Sequence, residues 1–253
     1  MNFIWVWKAK NIKRYLIIAL AAFFTAGIIY VDQAKIAVFS PSDDDAAIYR
    51  ADIDEQEVSL TFNISWGEEH AIPILDVLKD HDISNATFFL SGSWAERHPD
   101  IVERIVEDGH EIGSHGFHHE HYTKWDDSEI RRDIQLAHDH LVSEIDTEPN
   151  YLRPPNGSFD ERVLSVARSQ NYHIIHWSVD SHDWKEPGVD TIVDNVLEPI
   201  SPGDIVLFHA SDSATQTAEA LPTIIEELEK NDYEFLTVSE LLAGAESEHS
   251  VIE

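Results

Sequence analysis

Glu111-Ile112-Gly113-Ser114-His115-Gly116-Phe117-His118-His119-Glu120-His121 runs from what reads as the tip of a strand into a segment with four of the chain's fifteen histidines. Imidazole is the commonest nitrogen ligand for divalent metals, and two histidines four residues apart can turn toward one ion from a loop after a strand. His115 and His119 have that spacing. An isolated His-x-x-x-His is more often a polar loop than a metal site, so the pair gains meaning only if other strand ends supply partners.

On both sides of this stretch, strand-like and helix-like patterns alternate. Segments 58–62 and 86–90 read as strands around an amphipathic helix over 68–81. Segment 99–108 is helical, with Pro99 in its first turn and Gly109 just past its end. Beyond the histidines come a helix over 127–145, a short strand over 151–153 stopped by Pro154-Pro155, and a helix over 160–169. A strand over 172–179, a helix over 189–197, a strand over 204–208, a helix over 215–229, a strand over 233–238 and a short helix over 239–242 complete the pattern. About seven strands alternating with helices make an α/β fold with a mostly parallel sheet, open or closed into a barrel. Chemistry in such folds gathers at the carboxyl ends of the strands.

Five strand ends carry notable residues. They are Asn63-Ile64-Ser65-Trp66-Gly67, the His115/His119 pair, Arg153-Pro154-Pro155-Asn156-Gly157, Asp180-Ser181-His182-Asp183-Trp184 and Leu207-Phe208-His209. Each has an ordinary explanation as a turn, a solvated loop or a satisfied core histidine. Their occurrence at successive strand ends does not.

In this order and spacing the motifs resemble those of the NodB-type polysaccharide deacetylases, carbohydrate esterase family 4, from about Val58 to Leu242. The match looks closest to the sporulation-associated PdaB-like branch. The resemblance implies a distorted (β/α) barrel of about seven strands over 57–245. The implied reaction is hydrolysis of the N-acetyl amide of cell-wall amino sugars, as in peptidoglycan or chitin-like glycan, with a divalent metal, zinc or cobalt. It implies that His115 and His119 bind the metal, that His209 protonates the leaving amine, that Asp180 holds the His209 ring, and that Arg153 orients the base. Leu207 and Trp184 would wall the acetyl pocket, with Pro155, Asn156 and Asp183 also on the substrate side.

The first motif departs from the family pattern. Asn63 and Ile64 stand where the family has two aspartates, one the general base and the other the third metal ligand. An amide does not take a proton from water near neutral pH, and an isoleucine coordinates nothing. A general base is typically worth about 10²–10⁴ in rate. The alternative reading is therefore a catalytically impaired family member that keeps its cleft as a glycan-binding or assembly protein.

Composition sets the remaining bounds. The chain of 253 residues has no cysteine and a net charge of −31, so any metal site must use nitrogen and oxygen, and the acidic surface repels nucleic acid. Residues 15–31 are apolar or small and carry no charge, and Lys8, Lys10, Lys13 and Arg14 precede them. By the positive-inside rule this reads as a basic cytoplasmic segment over 1–14, a single-pass transmembrane signal anchor over 15–31, and an extracytoplasmic domain, with a cleaved signal peptide as the alternative. An acidic linker is expected over 32–56 and a tail over 246–253.

Overall fold

The computed structural model describes residues 46–145 and 148–249. The expected cytoplasmic segment and membrane anchor lie outside the described residues. Among the described residues no helix is long and apolar enough to cross a membrane.

The fold is a curled half-barrel of eight parallel strands with helices on its outer face. Strand β1 (Glu57–Ile64) is central. It is flanked by β2 (Thr87–Leu90), β3 (Glu111–Ser114), β4 (Tyr151–Leu152) and β5 (His173–Ile174) on one side. On the other side lie β7 (Ile205–His209) and then β6 (Val179–Asp180), while β8 (Glu234–Phe235) pairs with the start of β1. The helices are α1 (Ala71–Asp80), α2 (Gly92–Ala95), α3 (Pro99–Glu107), α4 (Asp127–Glu144), α5 (Glu161–Arg168), α6 (Val189–Leu197), α7 (Thr217–Lys230) and α8 (Val238–His249).

Alternation along β1 decides which residues face the helices and which face the inside of the curl. Val58, Leu60, Phe62 and Ile64 are fully buried in the core shared with α1, α3 and α7. Phe62 is stacked between Phe88 and Phe208, at centroid distances of 4.9 and 5.4 Å. Burying each such ring contributes about 1.5–3 kcal/mol. Ser59, Thr61 and Asn63, also buried, occupy the alternate positions. Ile64, the residue at the third metal-ligand position, therefore belongs to the apolar layer.

Two expectations about chain organisation need correction. The strand expected over 172–179 is two short strands on opposite edges of the sheet, β5 against β4 and β6 against β7. The chain between them runs from one edge to the other, so its backbone polar groups find other partners. The carbonyls of Ile175 and His176 accept from Arg153, and His176 N–H donates to Ile48. Apolar periodicity looks the same whether a strand continues or crosses an opening, so the sequence pattern did not separate the two.

The second correction concerns the linker. Residues 46–56 are part of the folded domain: Ala47, Ile48, Ala51 and Ile53 are buried, Ile48 bridges Ile175, and Arg50 bridges Asp204. Their apolar positions have no regular period, which hid them. The last helix is also longer than expected, extending to His249.

Helix starts follow local chemistry. Asp126 caps α4, accepting from Ser128 and Glu129 N–H while the Glu129 side chain returns to the Asp126 N–H. Asp160 caps α5 in the same manner from Arg162 and Val163 N–H.

His110, between α3 and β3, is buried with its ring 5.2 Å from that of Phe88, and burial pushes its pKa down to about 4. The unfolded chain takes up a proton near pH 6.5 that the folded chain refuses until about pH 4. Stability is therefore expected to fall across that window, by up to about 3 kcal/mol from this residue. Urea denaturation of wild type and His110→Gln between pH 7 and 4 should show a shallower pH slope in the variant.

Candidate active-site cleft

The ends of β1, β3, β6 and β7 meet at a cleft of about 390 Å³. Asn63 and His209 are direct register partners on β1 and β7, and Asp180 pairs with Leu207 across β6 and β7. Of the residues expected from sequence, Asn63, His115, His119, Asn156, Asp180, Trp184, Leu207 and His209 all line this cleft. Ser65, Trp66, Trp177, Ser211 and Ser213 line it too and were not expected there as site residues. Arg153, Pro155 and Asp183 are buried and absent from its wall. A larger groove of about 1090 Å³ along α4 contains none of the strand-end residues.

The histidine loop is shaped by one buried carboxylate. Asp133 of α4 accepts from Phe117 N–H at 2.8 Å, His118 N–H at 3.2 Å and Tyr122 O–H at 2.8 Å, and lies 2.5 Å from His118 Nδ1. This turns His118 away from the cleft and leaves His115 and His119 facing it, with ring centroids 4.9 Å apart. Gly116 is required in this loop: its φ is +70°, and a Cβ there would stand 2.4 Å from the Tyr122 hydroxyl.

His115 is buried, and its Nδ1 is 2.7 Å from the Arg153 carbonyl oxygen. A carbonyl only accepts, so Nδ1 carries the hydrogen and Nε2 keeps its lone pair. Burial first, and then neighbouring His119, hold the His115 pKa well below its ordinary value. His119 is shifted down as well, by burial and then by His209. Both rings are thus neutral near pH 7, the state a metal ligand needs.

The donor set nevertheless falls short of a metal site. Catalytic zinc sites usually have three protein ligands. Here Ile64 is fully buried in the apolar core, and among the described residues no group of three His, Asp or Glu side chains is placed to hold an ion. The two histidines alone do not fit the metal that the family pattern implies.

His209 has a firm partner, and it is Asp183 rather than the expected Asp180. Asp183 is fully buried; its Oδ1 is 2.8 Å from His209 Nδ1, and its Oδ2 accepts from His209 N–H and Thr217 O–H, both at 2.7 Å. Asp180 instead accepts from His182 N–H at 2.8 Å and lies 2.9 Å from His182 Nδ1. The reason is local. His182 and Glu186 both take left-handed φ values, 55° and 50°, and the turn between them carries Asp183 under β7. Asp-x-x-Asp offers two equivalent carboxylates in sequence, and only this turn distinguishes them. Burial also removes Asp183 and Pro155 from the substrate side.

Arg153 lies beneath the cleft and is fully buried. Nη1 donates to Thr61 Oγ1 at 2.8 Å and to Asn63 Oδ1 at 3.0 Å, Nη2 donates to the His176 carbonyl at 2.7 Å, and the guanidinium stacks 4.1 Å from the Phe89 ring centroid. Every one of these acceptors is neutral. Burial lowers the Arg153 pKa to about 9, so the group stays charged at pH 7 without a carboxylate in hydrogen-bond contact. Its bond to Oδ1 also fixes the Asn63 amide, leaving Nδ2 free of that contact.

A half-barrel of parallel strands brings a buried His–Asp pair and a histidine pair to one cleft at the strand ends, an arrangement suited to acid–base chemistry. Comparison with known proteins makes the family specific. Residues 50–175 match the polysaccharide deacetylase family model. The chain is 36% identical to a peptidoglycan-N-acetylglucosamine deacetylase of Bacillus cereus, covering 82% of this chain and 76% of the relative. It is 31% identical to the uncharacterised protein YlxY of Bacillus subtilis over 83% of this chain, and spans 65% of that relative's length. Among solved structures it is similar to a family 4 carbohydrate esterase pseudoenzyme from Bacillus anthracis, at 35% identity and a TM-score of 0.73, covering 78% of this chain and 69% of that one. A mutant of that pseudoenzyme with restored enzymatic activity has also been solved. The chain belongs to the polysaccharide deacetylase family, carbohydrate esterase family 4.

Asn63→Asp places a carboxylate against Arg153 and is expected to raise stability at pH 7 by about 1–3 kcal/mol. Arg153 would hold the new carboxyl's pKa below its unfolded value of about 3.9. The gain is then complete above that value and lost as pH falls through the folded pKa. Urea titrations of both proteins at pH 7 and pH 3 check the sign.

Proposed function

We propose that this protein is a cell-wall glycan-binding member of the polysaccharide deacetylase family whose hydrolytic chemistry is impaired. The observation that carries the proposal is the contact between Arg153 and Asn63. The position of the general base holds a neutral amide whose oxygen is already taken by a buried guanidinium. Ile64, packed in the core, removes the third ligand position from the cleft. The similarity to the Bacillus anthracis pseudoenzyme supports this reading.

The second reading, residual metal-dependent N-deacetylation, is favoured by one specific arrangement. His209 and Asp183 still form an oriented pair that can deliver a proton to a leaving amine, and His115 keeps a lone pair on Nε2. The proposal extends to cellular placement. Residues 15–31 would anchor the chain with its N-terminus cytoplasmic and the domain extracytoplasmic, and the PdaB-like resemblance points to the sporulation cell wall. The glycan would be a peptidoglycan or chitin-like polymer of N-acetylated amino sugars.

The purified protein, given zinc or cobalt, is expected to release no acetate above background from N-acetylglucosamine oligomers or peptidoglycan, while still binding the oligomers. Asn63→Asp, which faces the cleft, is expected to return a proton acceptor there and to release more acetate than wild type, whereas Ile64→Asp, set in the apolar layer, is expected to lower the thermal midpoint. Metal-dependent acetate from wild type, abolished by His209→Ala, would overturn the impaired reading in favour of the second.

A further inference from the structure

Among the described residues the exposed large hydrophobic side chains are Trp66, Trp184, Val106 and Val142, and both tryptophans line the same cleft. Trp66 is 51% exposed and Trp184 48%. Leaving two indoles in water beside one cleft forgoes the burial that large aromatic side chains usually find, and such exposure marks a surface that meets a ligand.

The backbone holds Trp66 in this position. On its N-terminal side Ser65 N–H donates to Ser211 Oγ at 3.0 Å. On its C-terminal side the Gly67 carbonyl accepts from Trp94 Nε1 at 2.6 Å, and Glu69 N–H donates to Asp212 Oδ1 at 2.8 Å. Gly67 has φ +78°, and a Cβ there would fall 2.0 Å from Asp212 Cγ. These bonds fix the backbone on both sides of Trp66, so the loop presents the residue at the cleft mouth. Trp184 is held on a comparably fixed turn, its N–H donating to buried Asp183 Oδ1 at 2.8 Å. Lys185 Nζ is 4.9 Å from its ring centroid.

Topology places the two rings on either side of the reacting position. Strand β7, which ends in His209, lies between β1, which leads into Trp66, and β6, which leads into Trp184. A pyranose ring has an apolar face of C–H groups that packs on an indole, whereas its hydroxyls need polar partners at the edge. Ser65, Ser211 and Ser213 stand in the cleft beside Trp66 and supply such partners.

We propose that Trp66 is a substrate-positioning residue, a preorganised aromatic platform that stacks on a sugar ring of the glycan opposite the one met by Trp184. Rigid aromatic anchors give affinity at low ordering cost, because their conformation is already that of the bound state. The inference rests on the glycan-binding reading and adds a residue and a direction to it: the chain passes over β7, from the Trp66 side to the Trp184 side. A chain of several sugars then meets both platforms, and a single sugar only one.

The test is calorimetric titration of the full chain with an N-acetylglucosamine tetramer and with the monosaccharide, joined to intrinsic tryptophan fluorescence. Trp66→Ala should weaken tetramer binding about tenfold or more, Trp66→Phe should keep most of the affinity, and the thermal midpoints of both should match wild type. The monosaccharide should bind much more weakly than the tetramer. If Trp66→Ala binds the tetramer like wild type while Trp184→Ala is weakened, the Trp66 platform is wrong and the glycan-binding function stands. If Trp66→Phe loses as much affinity as the alanine variant, stacking is wrong. If wild type binds no N-acetylated saccharide, the proposed function falls, and the platform with it.

Discussion

The site is built around one buried positive charge. Arg153 has no access to solvent, and its guanidinium reaches Thr61 and Asn63 on β1, the Ile175 and His176 carbonyls on the crossing segment, and the face of Phe89 on β2. Its own backbone takes part as well. The Arg153 N–H donates to the Ser114 carbonyl, and the Arg153 carbonyl fixes His115 Nδ1. A buried guanidinium is costly unless its donors are met, so these contacts tie three strands and the crossing chain into one arrangement.

That arrangement fits a carboxylate at position 63 better than the amide present. The asparagine keeps the shape and the hydrogen bond and gives up the charge, which preserves the architecture while removing proton-accepting capacity. At position 64 the change has a different character. Isoleucine joins the apolar layer between sheet and helices, so it adds to the core where a carboxylate would have been a liability. Both residue types are compatible with the fold. The His209–Asp183 pair, the His115 tautomer and the exposed tryptophans do not depend on positions 63 and 64, because their loops are anchored elsewhere: Asp133 for the histidine loop, Ser211 and Asp212 for the Trp66 loop, Thr217 for Asp183.

Much of this was legible along the chain. The alternation of strands and helices, the helix expected over 99–108 and the gathering of motifs at strand ends follow from local pattern and steric preference. Eight of the expected site residues line one cleft, because the ends of adjacent parallel strands bring their loops together on one side of the sheet. What escaped had physical causes. Residues 47–53 pack through irregularly spaced apolar side chains, and the 172–179 run crosses an opening that apolar periodicity does not register. Trp66 was visible as a residue, but its loop is held at the cleft by hydrogen bonds from Ser65 and Glu69 to partners about 145 residues away.

The sequence by itself determined the class of fold, the order of the motifs, and that positions 63 and 64 carry an amide and an aliphatic side chain, since residue types fix what each position can do chemically. Only the tertiary structure decided that Asp183 rather than Asp180 holds His209, that Arg153 is met by neutral acceptors, and that Ile64 is sealed in the core. Those outcomes depend on backbone turns and on contacts between distant segments. A left-handed residue on each side of Asp183 swings one carboxylate beneath β7 and leaves the other at the rim, and nothing in the spacing of Asp-x-x-Asp carries that choice.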